Sequence, residues 1–245
     1  LPANYFPEGI TVTGADRLFV GSVATGAIYT VAPGDTTATQ FIAAGTLPKS
    51  GVLGMSASKD GGLLWVCNTD TANGHGDIVG LGVGDGQVKA THPMPDSASG
   101  AFCNDITIGA DGTLWATESF GGRIFRITTG DLPSNTPATV WLEAPALAQP
   151  SPGTFGVNGL ALVSGQLLLV NSSSGKLLTI DPTLATPTPD DLHEIPLTEP
   201  GQTGTFTMAN PDGMTRVNDT EVLIVETGFG LANGKDVLRV DLATK

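Results

Sequence analysis

The sequence predicts an all-β protein of short strands, and three observations support that fold class. Segments rich in Val, Ile, Leu and aromatic residues alternate along the chain with turns that contain Gly, Asp and Asn, a pattern typical of strands joined by tight turns. No long segment combines helical apolar periodicity with helix-capping residues. The 245 residues are 40% hydrophobic and include 33 Gly and 17 Pro, so we expect a packed core and not a disordered chain.

The strand pattern repeats along the chain. Five units each contain three short strand segments, and the turn motif that opens each unit recurs at intervals of 45 to 54 residues. A fourth strand segment follows in places, as at residues 38–42 and 138–142. Four strands in a repeat of this size indicate the blade of a β-propeller, whereas a β-sandwich, the alternative, has no fixed period. The sequence therefore predicts one propeller domain over residues 1–245, with five visible blades of four strands. The turn motifs are marked by Gly9, Gly54, Asp105, Gly159 and Gly213.

Charge narrows the range of partners. The chain carries 11 basic and 24 acidic residues, a net charge of −13, with no basic cluster. Binding to nucleic acid or to an anionic membrane needs clustered Lys and Arg, so both are predicted to be absent. No apolar stretch approaches the roughly 20 residues of a membrane-spanning helix. A small-molecule substrate is the predicted partner, and the oligomeric state stays open.

One residue of each repeat occupies a special place in the predicted fold. The first strand of a blade lines the central tunnel, so the residues just before these strands should crowd one mouth of it. Four of these five residues carry side-chain oxygens, two as carboxylates and two as amides, and Ca²⁺ prefers such mixed oxygen ligands. Zinc is not expected, because no His or Cys lies among them. The alternative is that each belongs to an ordinary turn. We call these five the rim residues: Glu8, Leu53, Asn104, Asn158 and Asp212.

Other candidate groups lie in the loops between second and third strands, which should reach the same face. His75 is in one of them and is either a general base or an exposed loop residue. His92 and His193 fall in predicted outer strands and are interpreted as surface residues, whereas Trp65 and Trp115 are predicted to lie in the core. Four phenylalanines either wall an apolar pocket or pack between blades: Phe120, Phe155, Phe206 and Phe229. The five loops run from Ser22 to Gly26, Asp70 to Asp77, Glu118 to Gly121, Asn171 to Gly175 and Glu226 to Gly234.

The two cysteines are too few for a disulfide scaffold. Cys67 ends a second strand and Cys103 begins the first strand of the next blade, so the two should lie near the same face. A single bridge and two buried thiols both remain open at this point. A bridge would imply an oxidising compartment, and we predict a secreted or periplasmic protein.

The order of the rim residues resembles the gluconolactonase and senescence-marker-protein family of calcium-dependent six-bladed propeller hydrolases, whose relatives include diisopropyl-fluorophosphatase and paraoxonase. Glu8, Asn104, Asn158 and Asp212 match the family's order of Glu, Asn, Asn and Asp from the first, third, fourth and fifth blades. The segment 111–115 after Asn104 is also similar to the family. The resemblance implies that these four residues hold a catalytic Ca²⁺. It also implies six blades where five are visible, so the chain either lacks the last blade, which we favour, or is a five-bladed variant.

The function predicted from these features is calcium-dependent hydrolysis of a lactone or ester. Asp212 is the favoured catalytic carboxylate, and Asp105 and His75 are the reserves. A non-enzymatic secreted propeller, with structural calcium or none, is the second hypothesis, because propellers have many functions. A third hypothesis is a protein that resembles the relatives of strictosidine synthase, which use the same fold without this metal set, and the four oxygen ligands argue against it.

Overall fold

The chain folds into short antiparallel strands, as the sequence predicts. The structure is a computed structural model that describes residues 1–128, 135–227 and 236–243. Within those residues, two 3-10 helices, Pro145–Leu147 and Pro189–Asp191, accompany the strands, and no helix is long and apolar enough to cross a membrane. The strands are β1 (Pro7–Val12), β2 (Leu18–Ser22), β3 (Ile28–Val31), β4 (Thr39–Ile42), β5 (Gly51–Ala57), β6 (Leu63–Asp70), β7 (His75–Gly82), β8 (Val88–Pro93), β9 (Cys103–Ile108), β10 (Leu114–Glu118), β11 (Arg123–Ile127), β12 (Thr139–Glu143), β13 (Val157–Val163), β14 (Gln166–Asn171), β15 (Lys176–Ile180), β16 (His193–Ile195), β17 (Pro211–Arg216), β18 (Glu221–Glu226) and β19 (Val237–Asp241).

The strands form five sheets, each a meander in chain order. Four sheets have four strands, namely β1–β4, β5–β8, β9–β12 and β13–β16, and the fifth consists of β17–β19. These sheets are the five predicted blades, and the all-β fold class is confirmed. The predicted fourth strand of the fifth blade is not formed by the described residues, and neither is a sixth sheet.

The contacts divide the chain into two compact units. The first unit comprises residues 1–116 and 125–140, and the second comprises residues 117–124 and 141–245, so the third sheet has residues in both. In the first unit, aliphatic side chains of blades one and two form a core around Phe19, Leu64 and Val79. In the second unit, blades four and five share a core that includes Val170, Leu177 and Ile224. Each core is built from the apolar faces of adjacent blades. The single domain over residues 1–245 stays a prediction.

A repeated turn joins the second strand of a blade to the third. In blades one to four the turn contains a glycine with a φ between 67° and 71°, a left-handed conformation that glycine adopts without strain. In three of these turns the glycine amide donates to the carbonyl four residues earlier, with N–O distances of 2.7 to 3.0 Å. The four glycines are Gly26, Gly74, Gly122 and Gly175.

The two cysteines form a disulfide, which resolves the alternative that the sequence left open. Cys67 of β6 and Cys103 of β9 lie in the first unit with Cα atoms 5.3 Å apart, and both residues are fully buried. The bridge connects the second blade to the innermost strand of the third. It closes a loop across a sequence separation of 36 residues, so it restricts the unfolded chain considerably.

We expect the double variant Cys67→Ala/Cys103→Ala to lose about 4 kcal/mol of unfolding free energy, the value that chain-entropy arguments give for a loop of this size. Urea unfolding at equilibrium, followed by intrinsic tryptophan fluorescence, measures the loss. A reducing agent should lower the urea midpoint of the wild-type protein and leave that of the double variant unchanged. Equal midpoints for the wild-type protein with and without reductant would contradict the prediction.

Candidate functional site

The structure places the rim residues inside the first strands and not before them, which corrects the prediction from sequence. Glu8, Asn104, Asn158 and Asp212 are each the second residue of their strand, and Leu53 is the third. In four blades the pairing with the second strand is irregular across these positions. Such bulges bend a strand and redirect its side chains, and they are common beside active sites. The register shifts lie between Pro7 and Ile10, Val52 and Met55, Val157 and Leu160, and Pro211 and Met214.

Glycines beside the rim residues allow neighbouring first strands to approach closely. In the first unit, a Cβ atom on Gly9 would collide with the Leu53 carbonyl, and one on Gly54 would collide with Asp105. In the second unit, a Cβ atom on Gly159 would collide with the Asp212 carbonyl. The rim segments of adjacent blades therefore lie backbone against backbone within each unit. This close packing is one reason why the sequence is rich in glycine.

The first unit contains Glu8, Asn104 and the reserve carboxylate Asp105. Asn104 is buried, with 4% of its surface exposed, while Glu8 and Asp105 are half-buried. The Glu8 carboxylate accepts a hydrogen bond from the Gly9 amide. The Asp105 carboxylate accepts one from the Ile106 amide at 2.8 Å. These contacts hold both carboxylates against their own strands, and a catalytic function for Asp105 stays a prediction.

His75 is the first residue of β7 and so begins a strand, where the sequence places it in a loop. Its Nδ1 lies 2.8 Å from Oδ1 of Asp96, and both side chains are about half exposed. The residue also forms an isolated β-bridge with Ala101, two residues before β9. A carboxylate at this distance fixes the orientation of an imidazole ring. The imidazole is thus accessible to solvent near the start of β9, and its use as a general base stays a prediction.

The second unit brings Asn158 and Asp212 together. Asn158 is buried at 7% exposure, and its side chain makes a hydrogen bond with the half-buried Asp212. Burial raises the pKa of the Asp212 carboxyl above its ordinary value, and the hydrogen bond from Asn158 opposes that rise. An amide and a carboxylate from equivalent bulges of adjacent blades are therefore in direct contact. Such a pair supplies two kinds of oxygen ligand to a hard cation.

A serine that the sequence analysis did not single out completes this cluster. Nδ2 of Asn158 donates to Oγ of Ser172 at 3.0 Å, and this hydroxyl donates to the Pro211 carbonyl at 2.7 Å. Ser172 follows directly on β14, in the repeated turn. Its position in a loop predicted to reach the site face was the only sequence signal that could have pointed to it.

A second group of polar residues was also missed, and its function is structural. Each second strand has a buried polar residue at or near its end, and its side chain bonds to backbone groups. Glu118 and Arg123, for example, are almost fully buried in the second unit and form an ion pair at 3.0 Å. The Glu118 carboxylate also accepts hydrogen bonds from the Phe120 and Gly121 amides at 2.7 and 2.8 Å, which accounts for a charge in the interior. The buried residues are Ser22, Asn68, Glu118, Asn171 and Glu226.

The aromatic residues divide between the core and the loops. Trp65 and Trp115 are buried at 1% and 5% exposure, which confirms the prediction for both. Phe206 packs against the core of the second unit. Phe120 and Phe155, both half-buried, stack in that unit with ring centroids 5.9 Å apart. A pocket wall made by this pair stays a prediction, and Phe229, with most of the fifth predicted loop, lies outside the described residues.

His92 is not a surface residue, contrary to the prediction from sequence. It lies in the outer strand β8 as predicted, but only 1% of it is exposed. Its ring packs on Trp65 with centroids 5.8 Å apart, and its Nδ1 donates to the Thr136 carbonyl at 2.9 Å. The residue is therefore part of the packing of the first unit. His193 is exposed, as predicted.

The predicted metal ligands are distributed over both units. Glu8 and Asn104 belong to the first unit, and Asn158 and Asp212 belong to the second, so their union around one ion stays a prediction. Within residues 1–128, 135–227 and 236–243, no group of three or more His, Cys, Asp or Glu side chains is placed to hold a metal ion. The predicted set of four ligands differs from such groups because two of its members are asparagines, which bind through an amide oxygen. Its four oxygen donors, with two negative charges, fit the preferences of Ca²⁺.

Comparison with known proteins shows likeness in structure only. The chain matches no model of a protein family and no curated protein. It is similar to a catalytically inactive virginiamycin B lyase from Staphylococcus aureus, solved with quinupristin, at 16% identity and a TM-score of 0.60, over 100% of this chain and 72% of that one. A streptogramin B lyase is similar at 20% identity and a TM-score of 0.62, over 97% of this chain and 69% of that one. A chain of a nidogen/laminin complex is similar at 15% identity and a TM-score of 0.63, over 97% and 76%.

These likenesses cover nearly all of the described strands, and they concern the fold. Two of the similar structures are lyases and one is a chain of a nidogen/laminin complex. Proteins with such different activities share a fold without sharing a site. The chain is therefore an all-β protein built from the blades of a β-propeller.

Proposed function

We propose that this protein is a calcium-dependent hydrolase that acts on a lactone or ester carbonyl of a small molecule. The observation that carries the proposal is that Asn158 and Asp212 lie in neighbouring bulges, where Gly159 packs against the Asp212 carbonyl. The two residues occupy equivalent bulges in adjacent blades and differ in charge, which suits ligands of one cation and does not follow from turn geometry alone. Glu8 and Asn104 occupy the equivalent strand positions in the first unit, and all four side chains would bind one Ca²⁺.

The chemistry of the donor set supports a hard cation. All four side chains bind through oxygen, and the carboxylates of Glu8 and Asp212 would balance the charge of a divalent ion. Asn104 and Asn158 are buried, so their amides are held in place and add ligands without adding charge.

When bound, Ca²⁺ would supply Lewis-acid polarisation of the carbonyl oxygen of the substrate. Asp212 either attacks the carbonyl carbon, which expels the alkoxide and leaves an acyl anhydride that water then hydrolyses, or takes a proton from the attacking water and returns it to the departing alkoxide. Asn158 donates a hydrogen bond to Asp212 and so holds one carboxylate oxygen. If Asp212 serves only as a ligand, the proton passes to a reserve base, either Asp105 or the His75 imidazole with its partner Asp96.

The disulfide supports a place outside the reducing cytosol. Bridges of this kind persist in oxidising compartments, and Cys67 and Cys103 are paired in the structure. We therefore propose a secreted or periplasmic protein. The net charge of −13 supports a small-molecule partner over nucleic acid.

A non-enzymatic binding protein is the second candidate. The similarity to a chain of the nidogen/laminin complex favours it, because that chain is part of a protein complex. In this case calcium would be structural or absent.

Metal analysis and a substrate panel separate the two candidates. The purified protein is freed of metal with a chelator, and Ca²⁺ binding is then measured by calorimetry. Hydrolysis of aliphatic lactones, sugar lactones and aryl esters is measured with Ca²⁺ and with excess chelator. We expect one equivalent of Ca²⁺ and turnover that the chelator abolishes. Calcium binding without turnover would favour the binding protein, and the absence of calcium binding would overturn the hydrolase.

A further inference from the structure

A chain of two hydrogen bonds ties the buried amide of Asn158 to the backbone of the next blade. Nδ2 of Asn158 donates to Oγ of Ser172 at 3.0 Å. The Ser172 hydroxyl in turn donates to the carbonyl of Pro211 at 2.7 Å. All three residues lie in the second unit, and Pro211 directly precedes Asp212. These hydrogen bonds therefore connect Asn158 to the residue next to Asp212, and the proposed calcium site depends on this pair.

The direction of these bonds follows from the number of protons available. The Pro211 carbonyl can only accept, and the Ser172 hydroxyl has one proton, which it donates to that carbonyl. Towards Asn158 the hydroxyl can therefore only accept. Only the NH₂ group of an asparagine amide can donate to it, so the amide is fixed with nitrogen towards Ser172. The oxygen Oδ1 must then lie on the opposite side of the amide group.

Ser172 is itself held firmly enough to fix that orientation. Its amide donates to the Gly156 carbonyl at 2.9 Å, and it belongs to the turn that the Gly175 amide closes on the Asn171 carbonyl at 2.9 Å. Its side chain is half-buried. A hydroxyl anchored in this way selects one of the two amide orientations of Asn158, which are nearly equal in shape and opposite in polarity.

We propose that Ser172 is a positioning residue that turns Oδ1 of Asn158 towards the calcium ion and its NH₂ group away from it. The inference rests on the proposed function, because it assigns the oxygen to that metal. An amide in the opposite orientation would present two N–H donors to a cation and oppose binding. Ser172 and Asp212 both accept hydrogen bonds from this NH₂ group. Removing the hydroxyl takes away one of these two acceptors, so the amide orientation is held less firmly and calcium affinity should fall.

The experiment compares variants that differ in the hydroxyl alone. Ser172→Thr and Ser172→Val have nearly the same shape, but only threonine retains the hydroxyl, and Ser172→Ala provides the simple truncation. Ser173→Ala is the matched control, because Ser173 is the neighbouring serine and its hydroxyl bonds to the Phe155 carbonyl at 2.7 Å and not to Asn158. Calcium dissociation constants are measured by calorimetry, and thermal unfolding is measured in excess chelator.

We expect the alanine and valine variants to bind Ca²⁺ about 10- to 100-fold more weakly, the usual effect of losing a partner that orients a metal ligand. The threonine variant and Ser173→Ala should bind within about threefold of the wild-type protein, a margin well below that effect. Equal affinities for the threonine and valine variants would overturn the inference while leaving the proposed function intact. Failure of the wild-type protein to bind Ca²⁺ would overturn both. A merely structural serine would lower the unfolding temperature in chelator without changing the affinity.

Discussion

Replacing Asp212 with asparagine should abolish calcium-dependent turnover while leaving the fold intact. The variant keeps the shape of the side chain and an oxygen that can accept the hydrogen bond from Asn158. It removes one of the two negative charges of the proposed calcium site, and it removes the carboxylate that would attack the substrate or accept a proton. We expect a loss of kcat/KM of roughly a thousandfold, in the range seen for positioned catalytic bases, together with weaker Ca²⁺ binding.

Stability should not fall in this variant. Burial destabilises the charged form of a half-buried carboxylate, and it affects a neutral amide of the same shape less. Thermal unfolding in excess chelator should therefore give a midpoint no lower than that of the wild-type protein. Asp190→Asn is the matched control, because Asp190 is an exposed carboxylate in the 3-10 helix of the same unit. That variant should retain full activity.

The two reserve residues decide how a contrary result is interpreted. Unchanged turnover in Asp212→Asn would remove Asp212 from the mechanism altogether. If Asp105→Asn or His75→Gln then lost activity with Ca²⁺ affinity unchanged, the base would lie in the first unit. His75→Gln would be informative in a further way, because it also breaks the pair with Asp96.

The blades could be predicted from the sequence because every blade repeats the same local chemistry. A glycine turn between second and third strands recurs at Gly26, Gly74, Gly122 and Gly175, and apolar segments flank each of these turns. Local rules of this kind depend on a few neighbouring residues. The fourth strand of the fifth blade was expected only because the other blades have one. The described residues contain no local strand pattern that predicts it.

The bulges could not be predicted, because they depend on how two strands pair. Asn158 and Asp212 looked like turn residues ahead of a strand, since Asn-Gly and Asp-Gly are common in turns. The register between β13 and β14 shifts across Asn158, so the residue belongs to the strand and its neighbour Gly159 packs on the next blade. The polar chemistry was visible in the sequence, whereas its position required the pairing of strands that are distant along the chain.

Two further residues show what can be predicted from the sequence and what cannot. Alternation along β8 buries both Ala90 and His92, so the buried histidine could have been predicted from its place two residues after a small apolar one. Ser172 could not, because its hydrogen bonds reach residues 14 and 39 positions away. Contacts over such distances are set by the packing of whole blades.

Replacing Gly159 with alanine should destabilise the protein by about 2–3 kcal/mol, at the upper end of the usual cost of overpacking. A Cβ atom there would collide with the Asp212 carbonyl and would lie 2.8 Å from the Met214 amide nitrogen. These are backbone atoms of the adjacent first strand, so they cannot move aside as a flexible side chain would. Equilibrium urea unfolding measures the loss, and a lower calcium affinity should accompany it because the clash displaces the strand segment that carries Asp212.

Gly213 provides a control at the equivalent position of the next blade. A Cβ atom on it would meet no described atom within 4 Å, and its φ, like that of Gly159, lies outside the left-handed region. Alanine is therefore compatible with the backbone at both sites. Gly213→Ala should change the unfolding free energy little, or raise it by up to about 1 kcal/mol by restricting the unfolded chain. Equal losses in the two variants would show that the intrinsic preference for glycine in these bulges matters more than the approach of one blade to the next. A large loss in Gly159→Ala alone would establish that close approach as the reason for the repeated glycine.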